Sequence, residues 1–103
     1  MKKALSLVAA SFVCAAPAMA DLALATSKNC MSCHAVDRKV LGPSFKDIAA
    51  KYKDTKGAAD MLATKIMKGG AGVWGPVPMP ANKQVSEVDA KKLAAWVLAA
   101  KER

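Results

Sequence analysis

The sequence predicts a small all-α domain of about four short helices wrapped around an apolar element that the polypeptide does not itself supply. Three observations carry this. Four stretches place apolar residues at helical spacing and none alternates as a strand would. The chain has 103 residues, and its first twenty read as an export signal, which leaves 83 for the folded domain. Those 83 hold few large core side chains: two Trp, one Tyr and one Phe beside a modest set of Leu, Ile, Val and Met. A domain of this length hides only about 60–65% of its unfolded surface and usually needs a staple.

The export signal is read from three regions in order. Met1-Lys2-Lys3 is a basic start, Ala4 to Ala16 is a nearly unbroken apolar run, and Pro17 leads into Ala18-Met19-Ala20, a small-x-small cleavage pattern. Ala4 to Ala20 is short, Ala-rich and broken by Pro17, a poor membrane span. Cleavage after Ala20 lowers the formal net charge from +8 to +6 and removes Cys14. Lipidation at Cys14 is not expected, because the bulky Val13 precedes it. Residues 21–103 are then expected to be a single exported domain without stable membrane insertion.

The first helix is expected over Asp21–Lys28, its acidic first residue suited to the N-terminal dipole. The second begins after Pro43 with Ser44 as cap, and Phe45, Ile48, Ala49 and Tyr52 give it one apolar face. The third runs from Ala58 to Met67, with Met61, Leu62, Lys65 and Ile66 on one face and Gly69-Gly70 as its stop. The last opens on Ser86-x-x-Asp89, a variant capping box, and carries the stripe Leu93, Trp96, Val97, Ala100, with Lys101 and Arg103 at its negative end. Its expected neighbour is the first helix, through Leu24 and Ala25 against Trp96.

Two segments lie between these helices. Val36 to Pro43 is polar and turns through Gly42-Pro43. Gly69 to Asn82 is dense in Gly and Pro: Gly69-Gly70, Gly72, Gly75-Pro76, Pro78, Pro80. A 14-residue structureless loop in so small a domain is uncommon and usually functional. There is no internal repeat and no low-complexity tract.

Cys30-Met31-Ser32-Cys33-His34 carries the chemistry. C-x-x-C-H is the attachment signature for c-type haem: two thiols three positions apart reach the two vinyl groups of one porphyrin, and the next residue offers an imidazole to the iron. A thioredoxin-like dithiol would need a βαβ pattern. A zinc site needs four ligands, whereas residues 21–103 hold two Cys and the single histidine, His34. A Cys30–Cys33 disulfide would close too small a loop to restrict the unfolded chain much and leaves His34 unexplained. One covalent haem also fills the missing core.

With no second histidine, bis-His coordination is excluded and His34 is the proximal ligand. Its other ring nitrogen should donate to a backbone carbonyl, and Pro43 in the Gly42-Pro43 turn is the candidate. Met31, Met61, Met67 and Met79 could offer a thioether. Met31 lies inside the attachment loop, and Met61 and Met67 lie in a helix, where Met usually fills core space. Met79 sits in Pro76-Val-Pro-Met-Pro80, whose prolines lower the cost of holding one side chain in place. Met79 is therefore the expected sixth ligand.

These features together resemble the class I cytochromes c, and within them the short bacterial cytochrome c-551/c-552 (c8) group. The resemblance spans residues 21–103 and rests on Cys30 to His34, Leu41-Gly-Pro-Ser44, Gly72-Val-Trp-Gly-Pro-Val-Pro-Met-Pro-Ala-Asn82 and Leu93-Ala-Ala-Trp-Val-Leu98. It implies the small class I cytochrome c fold. It further implies that Asn82 hydrogen-bonds near the ligand sulfur and that the Trp74 indole reaches a haem propionate. Lys65 matches a position where some relatives carry an Arg; Lys keeps the charge but not the bidentate geometry.

The function expected is that of a soluble periplasmic one-electron carrier, cycling Fe(III)/Fe(II) between respiratory partners such as a nitrite reductase or a terminal oxidase. A haem-based gas sensor or a peroxidase would need a labile or vacant sixth position, and the sole histidine leaves no distal acid–base group of the usual kind. Lys28, Arg38, Lys39, Lys46, Lys51, Lys53, Lys56, Lys65, Lys68 and Lys83 are spread along the chain without aromatic interleaving, which points away from nucleic acid. They suit steering toward acidic docking surfaces of redox partner proteins, by a monomer or weak oligomer. Met31, Val40, Pro76 and Val77 are the expected apolar contact patch.

Overall fold

The computed structural model describes residues 16–100, with side chains from Asp21 onward. Residues 1–15 of the expected export signal, and Lys101 and Arg103 at the expected end of the last helix, lie outside the described residues. Helix α1 spans Ala16–Ser27, a 3₁₀ turn follows at Cys30–Ser32, and α2, α3 and α4 span Phe45–Tyr52, Ala58–Lys68 and Glu87–Leu98. Among the described residues there is no strand, only an isolated antiparallel bridge between Gly70 and Met79. No described helix is long and apolar enough to cross a membrane.

Helix starts follow their local chemistry. Ser44 and Ser86 are both extended N-caps whose hydroxyls accept from the third amide of their helices, Asp47 N at 3.0 Å and Asp89 N at 3.1 Å. Helix α3 ends where Gly69 takes φ 79°, a conformation other residues adopt at a cost. Asn29 is the one non-glycine residue with positive φ among those described, and it turns the chain from α1 into the Cys30–Ser32 turn. Helix α1 starts five residues earlier than the expected Asp21, because Ala18-Met19-Ala20 continues a helix as readily as it marks a cleavage site.

Helix α4 is the hub, packed against α3, α2 and α1. Its stripe of Leu93, Trp96, Val97 and Ala100 is buried, and Leu24 and Ala25 of α1 meet the same cluster as Trp96. Phe45 stands edge-on to Trp96 at 5.2 Å between ring centroids. The rest of the core is small: Ala25, Ala49, Ala63, Ala90, Ala94 and Ala100 are all buried, and Leu93 is the largest fully buried side chain. Leu62 and Ile66, read as the inward face of α3, are half-buried and line a cavity instead of closing against another helix.

Candidate haem site

The cavity holds about 520 Å³, within the roughly 300–1,000 Å³ usual for small-molecule and cofactor sites. Its apolar floor comes from α2, α3 and α4, through residues such as Ile48, Leu62 and Leu93. Cys30, Cys33 and His34 line it from the attachment segment, and Trp74, Met79 and Asn82 from the loop after α3.

The attachment segment is built by a tight turn. Cys33 N and His34 N both donate to the Cys30 carbonyl, at 3.2 and 3.0 Å, which gathers the two cysteines and the histidine at one edge of the cavity. Both thiols are free and half-buried. Burial pushes the Cys30 thiol above its ordinary value, and the nearby Cys33 pushes it further, while a hydrogen bond to its own backbone opposes the rise.

His34 is buried and held on three sides. Its Nδ1 lies 2.8 Å from the Pro43 carbonyl, and because that oxygen can only accept, Nδ1 carries a proton, so that in the neutral ring the lone pair is on Nε2. Phe45 stacks on the ring at 5.1 Å and 25° between planes. Gly42 lies so close that a Cβ there would come within 2.6 Å of His34 Cε1, and Gly42 N donates to Cys33 O at 2.7 Å. The first helical turn of α2 completes the arrangement, since Phe45 N and Lys46 N donate to Ala35 O and Val36 O.

The opposite arm is less open than its composition suggested. Gly70 N donates to Met79 O at 3.0 Å and Met79 N to Gly70 O at 2.8 Å, so the Gly- and Pro-rich segment is a loop closed at its base with Met79 at the closure. Gly69 packs against the Met79 carbonyl and lies under the backbone of Pro80 and Ala81. Asn82 fastens the end of the loop to α3, its backbone N and Nδ2 both donating to Ile66 O, at 3.2 and 2.8 Å, with a longer bond of 3.4 Å from Nδ2 to Pro80 O. Ile66 is in the last turn of its helix, where a carbonyl has no helical partner.

Trp74 is 41% exposed at the cavity rim, with Lys51 Nζ 5.8 Å from its ring centroid. Lys65 also lines the cavity, its ammonium packed toward Gly70. Of the residues expected in an apolar contact patch, Val40, Pro76 and Val77 are exposed, whereas Met31 is half-buried against the core. Leu41 and Val73, 60% and 49% exposed, extend the exposed apolar set beyond the residues expected there; both also line the cavity. No group of three metal-ligating His, Cys, Asp or Glu side chains exists among the described residues.

The residues fit a covalently tethered, planar apolar group. Two free thiols, an imidazole and a thioether border one apolar cavity in a core rich in alanine. A small all-α fold with C-x-x-C-H on the wall of such a cavity defines a c-type haem protein. The comparisons with known proteins agree. The cytochrome c family model matches residues 22–101. Cytochrome c-552 of Nitrosomonas europaea is 53% identical over 93 residues, which cover 90% of each chain. Cytochrome c-551 of Azotobacter vinelandii is 57% identical over 72 residues, 70% of this chain and 87% of the relative. The crystal structure of the Nitrosomonas europaea protein superposes with a TM-score of 0.77 at 55% identity, covering 78% of this chain and 99% of the other. The chain belongs to the cytochrome c family, in the class I c-551/c-552 group. Its cofactor is one covalently attached haem c, and it is an electron-transfer protein that serves redox partner proteins, not an enzyme.

Proposed function

We propose that the chain is a soluble periplasmic one-electron carrier whose haem is held by thioethers from Cys30 and Cys33 and ligated by His34 and Met79. The observation that carries this is the meeting of all four side chains at one cavity, with the Nδ1–H of His34 already committed to Pro43 O. The bound haem supplies reversible Fe(III)/Fe(II) exchange, and a thioether ligand with apolar surroundings favours the ferrous form. Pro43, Gly42 and Phe45 fix the imidazole plane, so that His34 need not reorient between redox states. The Gly70–Met79 closure does the same for the thioether side. With two protein ligands in place, oxygen and peroxide find no open position. Asn82 is proposed to order the Met79 side, and Trp74 and Lys65 the polar rim.

Export follows from the sequence reading: residues 1–20 are removed, and Asp21 becomes the first residue of a shortened α1, where its carboxylate suits the helix N-terminus. The lysine-rich surface steers the carrier to acidic docking surfaces around the exposed apolar rim. The test is visible spectroscopy of the holoprotein, oxidised and reduced, with and without carbon monoxide. A low-spin spectrum with the weak far-red thioether-to-ferric band, abolished by Met79→Ala and unmoved by carbon monoxide, is expected. High-spin ferrous haem that binds carbon monoxide readily would overturn the ligand set.

A further inference from the structure

Outside the residues already given roles, one polar network joins the two arms of the site. Gln84 Nε2 donates to Lys28 O at 3.0 Å and to Asn82 Oδ1 at 3.3 Å, and Lys28 Nζ donates back to Gln84 O at 3.3 Å. Lys28 opens the turn that leaves α1, two residues before Cys30. Asn82 follows Met79 by three residues and holds Ile66 O and Pro80 O. The amide orientations are mutually determined. A carboxamide NH₂ has two hydrogens, and those of Gln84 are both spent on oxygens. Turning the Asn82 amide over would set its oxygen against two carbonyls and its NH₂ against that of Gln84.

We propose that Gln84 is a positioning residue: a brace that orients Asn82 and ties the segment bearing Cys30 and His34 to the loop bearing Met79, thereby restraining release of the Met79 thioether. The proposal rests on the reading of Met79 as a ligand. Each of these bonds is exposed and modest alone, yet two of them join residues 56 apart in sequence and all three converge on Gln84. Loss of the Gln84 side chain cuts the bonds to Lys28 O and Asn82 Oδ1, leaving only that from Lys28 Nζ to the Gln84 backbone carbonyl. Asn82 is then freer to rotate, so the loop opens more often while α1 to α4 stay packed.

The experiment uses the ferric holoprotein with imidazole as the competing ligand, followed by loss of the far-red thioether band. Gln84→Ala is expected to bind imidazole about three- to tenfold more tightly, the factor appropriate to one net hydrogen bond. Asn82→Ala should do so as well, and the double variant should gain no more than Asn82→Ala alone. Should Asn82→Ala fail to fold, hydrogen exchange of the Met79 amide in Gln84→Ala should quicken by the same factor while the amides of Leu93 and Val97 stay unchanged. Unaltered imidazole affinity and Met79 exchange in Gln84→Ala would overturn the brace with ligation intact, and additive effects in the double variant would overturn the route through Asn82. A far-red band that survives Met79→Ala would instead overturn ligation by Met79, and the brace with it.

Discussion

Gly42 leaves no space between its backbone and the His34 imidazole: a Cβ at that position would sit 2.6 Å from Cε1 and 2.9 Å from Nδ1. The turn is thus a wall of the site as well as a change of direction. Gly42→Ala should tilt the ring out of line with Pro43 O and cost about 1–3 kcal/mol, the usual range for overpacking a filled space. Denaturant unfolding of the holoprotein measures the loss, and the ferric spectrum reports the displaced imidazole. Gly57→Ala is the control, because Gly57 has φ 74° but nothing within 4 Å. It should show only the left-handed backbone penalty, about 1–2 kcal/mol, with an unchanged spectrum.

Gly69→Ala combines both faults on the other arm. Its φ of 79° disfavours any side chain, and a Cβ would meet the Met79 carbonyl and lie 2.9 Å from Ala81 N. Backbone cannot yield as a flexible side chain can, so the Gly70–Met79 closure must give way. Carbon monoxide should bind the ferrous variant where it leaves the parent untouched. A variant that keeps the parent's carbon monoxide resistance would mean the loop accommodates the methyl group by shifting as a unit.

Much of this architecture was legible beforehand, and the exceptions share a cause. Ser44 and Ser86 announced α2 and α4 because a hydroxyl ahead of an apolar stripe has a clear side-chain signature. The stripe of α3 was equally visible, yet periodicity does not say whether Leu62 and Ile66 close on a helix or border a cofactor cavity. The Gly69–Asn82 segment read as structureless because the Gly70–Met79 pairing is made by backbone atoms, which leave no mark in residue type. Gln84 gave no signal, being an ordinary exposed polar residue until its partners 56 positions away are seen. Gly42 did give one, as half of a Gly-Pro pair, but turn chemistry alone accounted for it.

The two serine caps should separate stability from site geometry. Each Ser→Ala change is expected to cost about 1 kcal/mol, since one helix amide loses its acceptor. Ser86→Ala loosens a helix start that does not line the cavity and should lower the unfolding midpoint with an unchanged spectrum. Ser44→Ala loosens α2 at the residue after Pro43, and Phe45 stacks on the imidazole, so it should also broaden the haem absorption. Equal spectra for the two variants would show that the Pro43 carbonyl is held by the Gly42 turn alone.

Removing the haem should remove the fold. An unfilled cavity costs about 24 cal/mol per Å³ in a protein core, so some 520 Å³ sets an upper figure of about 12 kcal/mol. Water entering the open rim lowers that figure, but the cavity is lined by residues such as Ile48, Leu62, Leu93 and Val97 that gain little from water. Whole domains are stable by about 5–15 kcal/mol, and one of this size lies near the bottom of the range. The alanine-rich remainder of the core, with Leu93 its largest fully buried side chain, cannot collapse far enough to compensate. A chain carrying Cys30→Ala and Cys33→Ala, expressed without attached haem, is therefore expected to lack near-ultraviolet circular dichroism from Trp96 and to melt without a cooperative transition. Sharp, cooperative unfolding of that chain would mean that helices α2 to α4 pack well without the group they surround.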